Sequence, residues 1–484
     1  MLYPSIANES ETLEAAMNSF RANLLFHHSE RGRRGLINTC LFHCIAVFSA
    51  ALLVCSLTAY GQEGRVLFHA DTFSSVNDVF EEGWAHWCQR PEISPGFSVA
   101  EFPSIGGAGS LCVSGASNSA AHGCWYMPIP GIAAGDYYRF EASYTTRGVP
   151  HPRFQVVARL DWRRGDGDRA GQPEYAPDME ERGEWQTVGG VFLAPDGAAD
   201  ARIELFLGFC DQGTVWWDDV TLSHVPAPPK RMVRVGTVNC RPSDNETSAE
   251  SVEEFVSAAD EAGRMGCDIV CLGEGVNLVG VRGAAYPDIA EPIPGPTTER
   301  LGETARKWNM YIAAALGERD GHVVYNTAVL IDRQGKVAGK YRKVQLPREE
   351  IESGVTPGSS FPVFDTDFGR IGIMICWDNQ YVEPARALAV QGAEIIFLPI
   401  WGGNAVLTRA RAIENQVYVV SSGYDIGSTI YDTWGNLLAE AKERPGAAYA
   451  DIDLNEPHPE PWLGNMRHRF FRELRTDIPV KGME

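Results

Sequence analysis

Phe368-Gly-Arg-Ile-Gly-Ile-Met-Ile-Cys-Trp-Asp378 reads as a short apolar strand, Gly372 to Ile375, that stops at a cysteine. Polar residues follow, and then the helix-like run Glu383-Pro-Ala-Arg-Ala-Leu-Ala-Val-Gln391. A brief apolar run followed by a helical pattern is the signature of an α/β layer. A residue at the C-terminal end of a strand in such a layer stands where these folds hold their ligands. Taken alone, Cys376 is better read as a core thiol, because free cysteines are among the most buried residues.

Two further segments change that balance. Asp268-Ile-Val-Cys-Leu-Gly-Glu274 is a second apolar strand, and it ends in a carboxylate. Gly339-Lys-Tyr-Arg-Lys-Val-Gln-Leu-Pro347 follows an apparent hairpin, Thr327-Ala-Val-Leu-Ile-Asp-Arg-Gln-Gly-Lys336, and sets cations beside apolar residues. A thiol with an ordinary pKa near 8.5 needs a base or a neighbouring positive charge to attack at neutral pH. Glu274, Lys343 and Cys376, each just past an apolar strand, meet that need.

In these pieces the chain resembles the carbon-nitrogen hydrolase (nitrilase and aliphatic amidase) superfamily, from about Val233 to Leu454. Pro294-Gly-Pro296, Tyr325-Asn-Thr-Ala328, Thr356-Pro-Gly358, Arg411-Ala-Ile-Glu-Asn415 and Gly427-Ser-Thr-Ile430 follow the same order as in that family. The resemblance implies Glu274 as general base, Lys343 as stabiliser of a negative oxygen and Cys376 as nucleophile, acting through a thioester with release of ammonia or an amine. It further implies the backbone N–H of Trp377 as a second oxyanion donor, and a second glutamate between lysine and cysteine. Glu352 fits that spacing best, with Glu349 and Glu350 as substitutes, and a solvated loop carboxylate as the plain alternative.

One position departs from the pattern. Many members carry histidine two residues after the lysine, and this chain has Gln345, which cannot carry a proton at neutral pH. The catalytic trio is untouched, but assignment to a particular substrate branch is not supported. Glu383 and Arg386, three apart on a helix, are expected to pair and to hold the loop after Cys376. Trp401, after Phe397-Leu-Pro-Ile400, is expected to line the pocket or to pack in the core.

The chain has 484 residues, enough for two or three domains, and a formal net charge of -21, which disfavours nucleic acid or an anionic membrane as partner. Residues 1–62 are expected to be an N-terminal extension with an export segment. Arg31-Gly-Arg-Arg34 precedes a stretch from Leu36 to Gln62 without a charged residue, ending Ala59-Tyr-Gly61. That order fits a secretory signal cleaved after Gly61, or a single membrane anchor if it is retained. An exported protein permits disulfides, so Cys88, Cys112, Cys124 and Cys210 can form two. No Cys-x-x-Cys pair or histidine-rich spacing calls for a metal, and no cofactor is expected.

Residues 63–225 read differently. Tyr137-Tyr-Arg-Phe-Glu-Ala-Ser-Tyr144, Phe154-Gln-Val-Val-Ala-Arg-Leu-Asp-Trp162 and Ala201-Arg-Ile-Glu-Leu-Phe-Leu-Gly-Phe209 alternate with period two between Gly, Pro and Asp turns, as in a β-sandwich. The ending Thr214-Val-Trp-Trp-Asp-Asp-Val-Thr-Leu222 resembles the last strand of jelly-roll domains of the carbohydrate-binding, galactose-binding-like type. Trp84, Trp87, Trp125 and Trp162 are candidates to stack on a glycan, or else core residues. Residues 226–231 form a proline-rich linker, and 232–484 the hydrolase domain with its C-terminal tail.

The resemblance implies a four-layer αββα sandwich for that domain, and a homo-oligomer in which a partner subunit covers Trp462, Phe470 and Phe471. The leading expectation is an exported amidase acting on a small-molecule amide. A nitrilase, an N-carbamoyl amidohydrolase, acyl transfer to an amine, and a non-catalytic glycan-binding surface protein remain open.

Overall fold

The computed structural model describes residues 64–457, 459–460, 462–475 and 477–478. The expected export segment lies outside the described residues. Among the described residues no helix is long and apolar enough to cross a membrane.

The first part is two antiparallel sheets around one core. The seven-stranded sheet runs 96–100, 110–114, 214–225, 137–147, 185–193 and 178–182, with 65–70 added along the far half of 214–225. The five-stranded sheet runs 85–88, 122–130, 200–208, 156–163 and 174–175. Alternation decides which side chains enter: Ala201, Ile203, Leu205 and Leu207 join the core, while Arg202 and Glu204 face out. The strand expected from Phe154 begins at Val156, because Pro152–Gln155 makes a helical turn first.

For three of the tryptophans the core alternative holds, and the two disulfides are not formed. Trp84, Trp125 and Trp162 are at most 1% exposed, so they are core residues and have no face for a sugar; only Trp87 of the four is partly open, edge-on to His122 and Phe206. Cys88, Cys112, Cys124 and Cys210 are all free thiols. The reason is the pleat: Leu111 and Val113 point inward, as do Trp125 and Met127, so Cys112 and Cys124 sit on the outer faces of opposite sheets.

The second part is layered helix, sheet, sheet, helix. One six-stranded sheet has the order 337–342, 323–331, 311–320, 269–271, 232–239, 446–453; the other has 363–365, 370–373, 395–400, 418–423, 428–431, 437–441. Ile269, Cys271, Ala313 and Ala315 of the first sheet meet Ile371, Ile373, Ile395 and Phe397 of the second in a shared core. The intervening Val270, Leu272, Ala314 and Leu316 face the other way, against helices Ser248–Arg264 and Pro296–Trp308. Met374, Ile396 and Leu398 likewise pack on helices Glu383–Val390 and Ala405–Asn415. Strands buried on both faces need continuous apolar runs, which is why Ile371 to Ile375 and Ile395 to Ile400 are so legible in the sequence.

The C-terminal helix Met466–Glu473 joins the two parts. Arg472 is 5% exposed and donates to the Ala176 and Arg153 carbonyls and, at 2.6 Å, to Asp178. Phe471 lies under the Arg153 guanidinium and Phe470 under that of Arg386. The phenylalanine pair is half-buried, in contact with this chain's own sandwich and with helix Glu383–Val390, while Trp462 stands 79% exposed. Replacing Arg472 by Met leaves two buried carbonyls short of a donor. The expected loss is about 2 kcal/mol in chemical denaturation, with earlier proteolytic release of the tail.

Candidate active site

Glu274, Lys343 and Cys376 all lie just beyond the C-terminal ends of their strands, the first two from one sheet and the cysteine from the other. The sheets face each other, so the ends converge although the residues are far apart in sequence. Glu274 is 3% exposed and Lys343 is completely buried. Lys343 Nζ is 2.9 Å from Glu274 Oε1 and 2.5 Å from Glu350 Oε1. Asn326 Nδ2 donates to the same two carboxylates, at 2.9 Å to Glu274 and 3.3 Å to Glu350.

The second glutamate is therefore Glu350, and the preference for Glu352 is corrected. Glu352 is exposed, with its carboxylate 3.9 Å from Arg348. Residues 348–352 form a short helix, in which positions two apart are about 200° around the axis; with Glu350 turned inward, Glu352 must turn out.

Cys376 sits at φ +41, a left-handed conformation that a residue with a Cβ adopts at a cost and keeps only where its surroundings enforce it. Asp378 supplies that enforcement. Its buried carboxylate accepts from the Ile375 N–H (2.9 Å), the Tyr341 hydroxyl (2.7 Å) and the Gln345 N–H (2.9 Å). One side chain thereby ties the turn after the cysteine to the loop that carries Lys343. Gln345 takes part through its backbone.

Burial, with the Glu274 charge next, pushes the Cys376 thiol up to about 12, against a smaller opposing pull from Lys343. Burial would discharge Lys343, but the charges of Glu274 and Glu350 outweigh it and hold the ammonium well above the ordinary lysine range. Burial raises the Glu350 carboxyl despite the adjacent ammonium. The resting arrangement is a protonated thiol beside a carboxylate and a permanent cation.

Residues 234–457 match the sequence profile of the carbon-nitrogen hydrolase family. Over 262 residues the chain is 33% identical to the omega-amidase NIT2 of Homo sapiens, covering 48% of this chain and 91% of that protein. The omega-amidase NIT2 of Bos taurus is 34% identical with the same coverage. This chain belongs to the carbon-nitrogen hydrolase family. A crystal structure of an amidase from Nesterenkonia sp. superposes with a TM-score of 0.42 at 22% identity, covering 46% of this chain and 90% of that one.

In this carbon-nitrogen hydrolase the remaining sequence-derived residues divide. The Trp401 backbone N–H points at the Cys376 sulfur, and its ring is 37% exposed, edge-on to Tyr424 at 5.1 Å. Trp377, directly after the nucleophile, is 38% exposed. Arg386 stacks on Phe470 instead of pairing with Glu383, which is exposed in the helix's first turn.

Asn326, Asp378 and Tyr424 were not singled out from the sequence. Tyr424 donates to the Glu274 carbonyl at 2.7 Å and so pins the backbone of the base. Asn326 and Asp378 lie inside quoted motifs, but residue type alone does not tell a donor at the site from a turn former. Among the described residues no group of three or more His, Cys, Asp or Glu is gathered as a metal site.

Because the raised thiol stays protonated through the neutral range, its free thiolate fraction grows about tenfold per pH unit. Alkylation of Cys376 by iodoacetamide, followed on its own peptide, should still be climbing at pH 10. A plateau by pH 7 would instead report a resting thiolate paired with Lys343.

Proposed function

We propose that this carbon-nitrogen hydrolase is an amidase that acts on a small-molecule amide through a Cys376 thioester. The observation that carries the reading is the buried Lys343 ammonium held 2.9 Å from Glu274 and 2.5 Å from Glu350, beside a protonated Cys376 thiol. The names of the omega-amidase relatives support the same direction.

The steps follow from the charges. Glu274 removes the Cys376 proton as sulfur bonds to the amide carbon, and the carbonyl electrons move onto oxygen. Lys343 meets that negative oxygen, with the Trp377 or Trp401 backbone N–H as a second donor. Collapse breaks the carbon-nitrogen bond, and Glu274 passes its proton to the leaving ammonia or amine. The same carboxylate then takes a proton from water. Hydroxide adds to the thioester, the carbon-sulfur bond breaks, and Cys376 recovers its proton from Glu274 as the acid leaves. Glu350 and Asn326 keep the ammonium and the base in register without taking a bond-making step.

Further readings are proposals of the same kind. The two antiparallel sheets and their shared core support a jelly-roll domain over 63–225, joined by the 226–231 linker to a hydrolase domain from 232. Export, a homo-oligomer and glycan binding rest on the sequence features given above. The exposed Trp462 leaves a subunit contact at the tail open.

Replacing Cys376 by Ala should abolish ammonia release from amides with the fold intact. Replacing Lys343 by Met should lower kcat by roughly a hundred- to a thousandfold, about 3 kcal/mol in the transition state, with KM changed far less. Intact-mass detection of an acyl adduct on Cys376, across amides, nitriles and N-carbamoyl compounds, tests the substrate class directly. Adducts and turnover with nitriles alone would overturn the amidase reading.

A further inference from the structure

Tyr286 opens the helical turn Tyr286–Ile289, in the connection between the Glu274 strand and helix Pro296–Trp308. Its ring packs with Val324 and Val355, and against Gly317, where a Cβ would lie 3.1 Å from the ring. The residue is 8% exposed. Its hydroxyl lies against Gly275, the residue after the base: a Cβ built there would come within 3.4 Å of the oxygen.

Among the described residues this hydroxyl has no hydrogen-bond partner in the protein, yet it is not one of the sealed-off polar atoms. A buried hydroxyl without a partner is costly and uncommon, so one that opens onto a reaction site is best explained by what enters the site. Burial, then the neighbouring charges of Glu274 and Glu350, drives its ionisation far above the ordinary tyrosine range. The hydroxyl therefore keeps its proton at every working pH and is available as a donor.

We propose that Tyr286 is a substrate-contacting specificity residue, whose hydroxyl donates a hydrogen bond to a neutral oxygen on the acyl chain of the amide, next to the scissile carbonyl. This rests on the amidase reading above and narrows its substrate class. Two observations define the acceptor. Tyr286 lies on the Glu274 side, with its hydroxyl against Gly275 and within reach of the Glu350 charge, and the Lys343 ammonium, which sits between those carboxylates, is the donor for the reacting oxygen. The two carboxylates exceed the single ammonium in formal charge, which disfavours a further anion beside the tyrosine. A keto, hydroxyl or ether oxygen fits where a carboxylate would be repelled. A site with a polar group committed to such a contact discriminates against the analogue that lacks it.

The test compares butanamide with methoxyacetamide, which differ by one methylene replaced with oxygen. Tyr286→Phe keeps the ring and removes only the hydroxyl. It should lower kcat/KM for methoxyacetamide about tenfold more than for butanamide, chiefly through KM. The same shift in relative affinity should appear when the two amides bind to Cys376→Ala protein with and without Tyr286→Phe. An equal loss for both amides, or no loss for either, in the binding comparison would overturn the proposal and leave Tyr286 a packing residue. Failure of the wild type to turn over either amide would count against the amidase reading, while the binding ratio would still decide the role of Tyr286.

Discussion

A lysine ammonium removed wholly from water is tolerated only where anions replace the water, and the Lys343 site is organised by that requirement. Glu274 and Glu350 supply the anions, and Asn326 bridges them from the neighbouring strand. Without both carboxylates the ammonium would be a stranded buried charge. The lysine is thus not placed separately from the base, whose charge helps to keep it an ammonium. The same dependence explains why the trio spans two sheets. An ammonium and the base beside it can be fixed by strands of one sheet, while the thiol comes from the facing sheet, near enough to feel both charges and to hydrogen-bond the Glu274 carboxylate.

The arrangement is braced from behind. Asp378 anchors the cysteine turn to the loop of Lys343, and Tyr424 anchors the Glu274 backbone. Farther out, helix Glu383–Val390 begins just past that turn, and its Arg386 lies on Phe470 of the tail, whose Arg472 is gripped by the sandwich. Packed contacts therefore run from the sandwich through the tail to the helix after the nucleophile. A cavity of about 230 Å³ lies at this joint, walled in part by Phe154, Arg159, Tyr175, Phe209 and Arg472. It belongs to the contact between sandwich and tail, away from the thiol.

What the sequence made legible follows from how each feature is encoded. Glu274, Lys343 and Cys376 each end a recognisable apolar strand, so their convergence followed from the layer architecture. Glu350 and Glu352 are both acidic, near each other and on one helical turn; choosing between them requires the rotation of that turn, which Pro347 and the loop around it fix. The tryptophans of the sandwich were left between two readings for a related reason. Aromatic residues in alternating strands mark both a core and a binding face, and only the register decides that Trp125 and Trp162 point in. The tail's contacts were not legible because an apolar pair reports only that something packs on it, and one neighbour, Arg153, lies hundreds of residues away in sequence.

The high resting position of the thiol sharpens the division of labour. A cysteine at about 12 would be a poor nucleophile if it had to ionise before attack. Beside a carboxylate, however, proton transfer and carbon-sulfur bond formation can occur together, so the free thiolate need never accumulate. The ammonium is then spared for the oxygen of the substrate. Were Lys343 to stabilise a resting thiolate, its charge would be compensated before the transition state and would contribute less there. Enclosure that discourages ionisation of the sulfur therefore serves catalysis, since it reserves the Lys343 ammonium for the charge that develops only during reaction.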